Sequence, residues 1–152
     1  MVGFKDILVA IDFDELTETT LNYARSIARK FDARLHVLHV TDNTFLKPMA
    51  MDPHTVESST SNKVNHRLTD ADRRDLRAIP VVRTSDKPAD AIVQYAGEHK
   101  IDLIVMGTHG RKAVAHLLIG SVAERVVRMA PCPVMTVRQS RDADAGADAP
   151  NT

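Results

Sequence analysis

Short, nearly continuous apolar runs alternate along this chain with longer stretches whose apolar residues recur every three or four positions. The first pattern is that of strands buried on both faces, and the second that of helices with one buried stripe. Ile7 to Ile11 and Leu103 to Met106 read as central strands. Arg34 to Val40 carries Leu35, Val37, Leu38 and Val40, interrupted by His36 and His39; Pro80 to Arg83 and Val134 to Val137 complete the set of strands. Leu21, Ala24, Ala28 and Phe31, with Ile27 alongside, predict a helix over Thr17 to Lys30, capped by Asp14 or Thr17. Ala89, Ile92, Val93 and Ala96 predict another after Pro88, and Ala123, Val126, Val127 and Ala130 one more, beginning near Ser121. A polar, weakly amphipathic helix is expected from near Val56 to Arg77, with its charge run from Asp70 forming a solvated face. Thr41 to about His54, with Pro48 and Pro53 and no clear period, reads as a loop over the site, where Met49 and Met51 either cover a ligand or pack loosely.

Alternating strands and helices predict an α/β fold: a single-domain open parallel five-stranded sheet with helices on both faces. The 152 residues suffice for one domain, over 1–138. Gln139 to Thr152 is rich in Asp and Ala, lacks large apolar groups, and is expected to be a disordered acidic tail. A strand order of 3-2-1-4-5 would open a crevice at the carboxyl ends of the first and fourth strands, where such sheets bind ligands. Asp12 then lies beside Gly107, with Val40 next along the edge. The Asp12 carboxylate either meets a nucleoside or a phosphate-borne Mg²⁺, or simply ends its strand; position alone leaves both open.

The crevice would also contain Gly107-Thr108-His109-Gly110 and, after nine intervening residues, Gly120-Ser121. Glycines between a strand and a helix suit a tight turn and close backbone approach to an anion, which the helix's free N–H groups and dipole attract. His109, Arg111, Lys112 and His116 add positive character, opposed nearby by Glu124. Ser121 and Glu124 also form an S-x-x-E capping box, so spacing by itself leaves a structural reading beside the phosphate cradle. Neither G-x-x-x-x-G-K-[ST] nor G-x-G-x-x-G occurs, which argues against a P-loop kinase or a Rossmann dehydrogenase.

Composition narrows the partners. Formal net charge is zero and aromatics are 4% of residues, so neither a basic face nor stacking rings point to nucleic acid. Cys132, the only cysteine, sits between prolines and reads as a packing residue; it rules out an internal disulfide. His36 and His39 fall on opposite strand faces and cannot share a metal. The start of the chain lacks a signal pattern and no apolar run approaches a membrane span, so a cytoplasmic protein is expected.

These residues resemble the universal stress protein family, in particular its ATP-binding branch. The likeness rests on Ile7 to Asp12, Leu103 to Gly110, and Gly120 to Val127 running into Pro131-Cys132-Pro133-Val134, with the G-x2-G-x9-G-[S/T] signature intact. The resemblance implies an adenine nucleotide alpha hydrolase-like fold and ATP as ligand, with either Mg²⁺ or Mn²⁺ as its companion. It implies adenine against the main chain at Asp12 and Val40; ribose and phosphate turn along Met106, Gly107, His109 and Gly110; and phosphates on Gly120, Ser121 and Val122. It further implies a homodimer through Val134 to Val137. Phe13-Asp14 replaces the family's common Gly-Ser, making the first loop bulkier and more acidic, and Ala113 replaces a common glycine. The function implied is nucleotide-dependent regulation in a stress response without efficient catalysis; a slow ATP hydrolase or phosphoryl-transfer enzyme, and a nucleotide-free interaction module, are the alternatives.

Overall fold

The computed structural model describes residues 1–42, 53–109 and 119–139, and in the second of these stretches side chains from residue 58 onward. Most of the expected loop over the site, the stretch from Gly110 to Leu118, and the tail beyond Gln139 lie outside these residues.

The strands are β1 (Asp6–Ala10), β2 (Arg34–Thr41), β3 (Ile79–Thr84), β4 (Leu103–Gly107) and β5 (Val134–Val137). They form one parallel sheet in the order β3-β2-β1-β4-β5, the order under which a ligand crevice was expected between the ends of the first and fourth strands. In the central register Val9 stands opposite both Val37 and Val105. The two faces of the sheet each carry a core. One joins Ile7, Val9, Leu35, Val37 and Val105 to Leu21, Ala24 and Ala28 of α1 (Thr17–Phe31) and to Val64 of α2 (Pro53–Arg67). The other joins Leu8, Leu38, Ile104 and Met106 to Ile92 and Tyr95 of α4 (Pro88–Glu98) and to Ala123 and Val126 of α5 (Ser121–Met129). Burial on both faces is why the strands are apolar runs rather than alternating ones.

The single helix expected from Val56 to Arg77 is two, α2 and α3 (Asp70–Asp75). Thr69 stops the first and starts the second: its hydroxyl accepts from the Asp72 N–H while the Asp72 carboxylate accepts from the Thr69 N–H. The solvated face expected for this charge run is also corrected, since Asp72 is fully buried. Its two oxygens accept from Arg25 of α1 at 2.9–3.1 Å, and Arg25 is itself buried. Charges so removed from water persist only when paired and hydrogen-bonded.

Other boundaries differ slightly. β1 ends at Ala10 and β2 continues through Thr41, while Pro53 and His54 are helical rather than in the loop. Val127 does not join the buried stripe of α5; it is 50% exposed. His36 and His39 point to opposite faces and both are buried. Cys132 is half-buried against the second core, and burial pushes its thiol up. No helix among the described residues is long and apolar enough to cross a membrane.

Candidate functional site

A cavity of about 470 Å³ opens at the carboxyl ends of β1, β2 and β4, within the size range of small-molecule sites. The topology explains its place: β1 and β4 are neighbours whose crossovers leave in opposite directions. Of the residues singled out from sequence, Asp12, Val40, Met106, Gly107, His109, Gly120, Ser121 and Val122 all line it. Gly110 lies outside the described residues, as do Arg111, Lys112, Ala113 and His116.

The end of the cavity at α5 is built from backbone. Gly120 is the N-cap, with extended φ −72° and ψ 162°, and no side chain caps the helix. The Ser121–Glu124 capping box therefore does not form; Glu124 instead pairs with Arg128 one turn on. The first intrahelical bond runs from the Glu124 N–H to the Gly120 carbonyl. The amides of Ser121, Val122 and Ala123 precede it and have no intrahelical acceptor. The Gly120 amide is not available in the same way, because it donates to the Thr108 carbonyl. Thr108 in turn is anchored by its N–H to Val137. No described glycine has positive φ, so the sharp-turn argument for Gly107 and Gly120 fails. At Gly107 a Cβ would meet Leu16 Cδ1 at 3.4 Å, ordinary contact.

The wall on the α4 and α5 side is apolar, with Val40, Ile92, Met106 and Val122. The opposite wall, at the start of α1 and the end of β2, is polar and was missed in sequence. It comprises Asp14, Thr17, Thr20, His39, Thr41 and Asp42. Asp14 accepts from the Leu16 N–H at 3.0 Å and from the Thr17 hydroxyl at 3.3 Å, tying the first loop to α1. Burial, with a further push from the Asp12 charge, raises the Asp14 carboxyl. His39 donates from Nδ1–H to the Ile11 carbonyl at 2.8 Å. Thr20, only 2% exposed, and Thr41 each carry a buried hydroxyl with no hydrogen-bond partner among the described residues. No signal in the one-dimensional pattern marks these threonines, because only the topology brings α1 beside the end of β2.

The first loop departs from an ordinary turn at Phe13, whose φ is +56°. Left-handed backbone is uncommon for a bulky residue and costs free energy. The ring lies behind the cavity wall rather than in it, 4.6 Å from the His39 ring and 5.8 Å from the Arg67 guanidinium. The bulk noted in sequence therefore supports His39 instead of filling the crevice. Charge on the described lining is one-sided: Asp12, Asp14 and Asp42, with no Lys or Arg. Among the described residues no three His, Cys, Asp or Glu cluster to hold a metal.

The family model for the universal stress protein family matches residues 3–138. The chain belongs to the universal stress protein family. A universal stress protein of Thermus aquaticus is 35% identical over 89% of this chain and 99% of its own length. The solved structure of universal stress protein UspA from Lactobacillus plantarum superposes with a TM-score of 0.73 at 25% identity, covering 91% of this chain and all of that one. A universal stress protein solved in complex with cAMP has a TM-score of 0.66 at 24% identity, over 91% of this chain and 100% of that one. One from Archaeoglobus fulgidus in complex with dAMP has 0.65 at 21%, over 89% and 98%. Both share the fold.

Proposed function

We propose that this universal stress protein binds an adenine nucleotide, ATP foremost, in the cavity at the carboxyl ends of β1, β2 and β4. The reading rests above all on the first turn of α5, whose amides have no intrahelical acceptor and border that cavity, a natural anion site. The apolar wall suits a planar base, and two proteins of the same fold were solved with cAMP and dAMP. Adenine would lie along Val40 and the main chain at Asp12, with phosphates toward Ser121 and Val122. Asp12, Asp14 and Asp42 repel a bare triphosphate. Mg²⁺ or Mn²⁺ arriving with the phosphates offsets that charge.

Occupancy then sets the shape or partner choice of a homodimer joined through β5, in a stress-response role without efficient turnover. Hydrolysis needs a group that positions water and a cation that clamps the transferred phosphoryl. Arg111 and Lys112, the loop cations that could supply such a clamp, lie outside the described residues, so ADP release is the measurement that decides between the readings. Calorimetry with ATP, with and without Mg²⁺, tests the reading, using Asp12→Ala and Gly120→Val as controls. Binding by the unmodified protein that weakens in both variants, with no ADP formed over hours, is expected. Steady ADP release favours the slow hydrolase, and no binding at millimolar ATP favours a nucleotide-free interaction module.

A further inference from the structure

Thr108 has no part in the nucleotide reading, yet all its polar groups are engaged beside the α5 rim of the cavity. Its N–H donates to the Val137 carbonyl, its carbonyl accepts from the Gly120 N–H, and its hydroxyl lies 3.1 Å from Nδ1 of His109. Held by backbone bonds to β5 and to the N-cap of α5, Thr108 has little freedom to carry its hydroxyl elsewhere. Thr108 is only 4% exposed, whereas His109 is half-buried and lines the cavity. The hydroxyl therefore meets the ring from inside the protein, and the ring borders the ligand space.

That contact decides which ring nitrogen carries the proton. In a neutral imidazole one nitrogen donates and the other accepts. Among the described residues the Thr108 hydroxyl makes its one hydrogen bond with His109 Nδ1. Were Nδ1 to hold the proton, the hydroxyl would have to accept, and its own hydrogen would be buried without an acceptor, which costs stability. With the hydroxyl donating, Nδ1 accepts and the ring proton sits on Nε2. The bond made by one ring nitrogen sets what the other presents. Phosphate oxygens only accept, so a neutral histidine binds one through an N–H and repels it through a lone pair. We propose that Thr108 is a positioning residue that holds His109 as its Nε2–H tautomer, so that the ring donates to a phosphate oxygen of the ligand and adds to the α5 amides in favouring a nucleotide over its bare nucleoside. The proposal rests on the adenine-nucleotide reading, in which the ribose and phosphate turn runs past His109.

The tautomer is read without any ligand. Long-range ¹H–¹⁵N correlation spectra of the full chain, with the His109 signals assigned by their loss in His109→Gln, should show the proton on Nε2 at the alkaline limit of a pH titration. A proton on Nδ1 overturns the proposal. Calorimetry with AMP and adenosine then tests the consequence. In Thr108→Val, which keeps the shape and removes the hydroxyl, AMP affinity should fall about tenfold while adenosine affinity stays within about twofold, the loss of one hydrogen bond to a charged group. Thr108→Ser, which keeps the hydroxyl, should bind AMP as the unmodified protein does. Adding Thr108→Val to His109→Gln should cost no further AMP affinity. Equal losses for AMP and adenosine, or a full additional loss in the double variant, mean that Thr108 serves packing alone and overturn the proposal. An unmodified protein that binds neither these ligands nor ATP overturns the nucleotide reading itself, a failure that the ligand-free spectrum tells apart from a wrong tautomer. The spectrum needs no Thr108 variant, so a variant that misfolds does not shelter the idea.

Discussion

At the scale of single residues, His36 shows how an apparently metal-like histidine is absorbed by the fold. Its Nε2–H donates to the Asp6 carboxylate at 2.9 Å, leaving Nδ1 to accept from the Tyr95 hydroxyl at 2.7 Å. The ring is only 3% exposed, and burial lowers its pKa despite the opposing pull of Asp6. A histidine whose folded value lies below its unfolded one keeps its stabilisation above the unfolded pKa and loses it as pH falls through that value. Unfolding free energy from urea melts is therefore expected to drop between about pH 7.5 and pH 5.5, and His36→Gln to be less stable at the upper end but to show a shallower pH slope. An equal slope in both proteins would remove His36 from the account. Gly107 makes a different kind of point. It has neither positive φ nor a neighbour closer than 3.4 Å to an added methyl, so Gly107→Ala should change stability by less than about 1 kcal/mol. The added methyl meets Leu16 rather than the cavity, so ATP affinity in the variant should stay within about threefold of the unmodified protein while the melt hardly moves. A larger loss of affinity would place the methyl in the cavity instead.

At the scale of elements, the buried pair of Arg25 and Asp72 holds α1 to α3, and its partners extend the tie. Arg25 also donates to Glu18, Asn22 and the Arg67 carbonyl, so three helices converge on one guanidinium. Removing one member of such a pair strands a charge, typically at about 3–5 kcal/mol. Asp72→Ala should lose roughly that much in denaturant melts, since the bond from the Thr69 N–H to the Asp72 carboxylate, one half of the capping box, goes with it. Arg25→Met combined with Asp72→Leu should recover most of the loss; an uncoupled sum of the two single effects would show that the pair is not the anchor. This anchor also marks what the sequence could tell. The five strands and the helices α1, α4 and α5 were legible because double-sided burial and one-sided stripes leave different periods in the chain. The break between α2 and α3 was missed because Thr69-x-x-Asp72 sits in a uniformly polar stretch, where periodicity carries no signal. The burial of Asp72 was invisible because Arg25 is 47 positions away. The cavity repeats the lesson: its α5 rim is contiguous in sequence and was found, whereas its polar wall, assembled from α1 and β2, exists only once the sheet is folded.

At the scale of the whole molecule, the sheet has two edges that are managed differently. β3 is an edge strand, but α2 packs beside it, bringing Val64 and Leu68 into the core next to Val82. β5 pairs only with β4, and its outer side has no partner strand among the described residues. Beside it Met135 is 36% exposed, and Val127 and Met129 of α5 are 50% and 48% exposed. An open edge flanked by large apolar side chains is a template for association, and a two-fold pairing of identical edges closes it without leaving a further edge to grow from. The sheet would then continue through two copies of β5, and the two cavities, each reached from β4 and the start of α5, would sit on either side of the junction. Sedimentation equilibrium is expected to give a dimer. Met135→Glu, which sets like charges across such a junction, should shift it toward monomer by at least tenfold in dissociation constant while leaving the melt of the monomer within about 0.5 kcal/mol. Since Thr108 bonds to Val137 and Gly120 bonds to Thr108, β5 is two hydrogen bonds from the α5 rim of the cavity. If nucleotide and dimer are linked, ATP must tighten the dimer by the same factor by which dimerisation tightens ATP. Measuring both in Met135→Glu and the unmodified protein decides it: a twofold or smaller change in ATP affinity upon loss of the dimer would show that the edge and the cavity work independently.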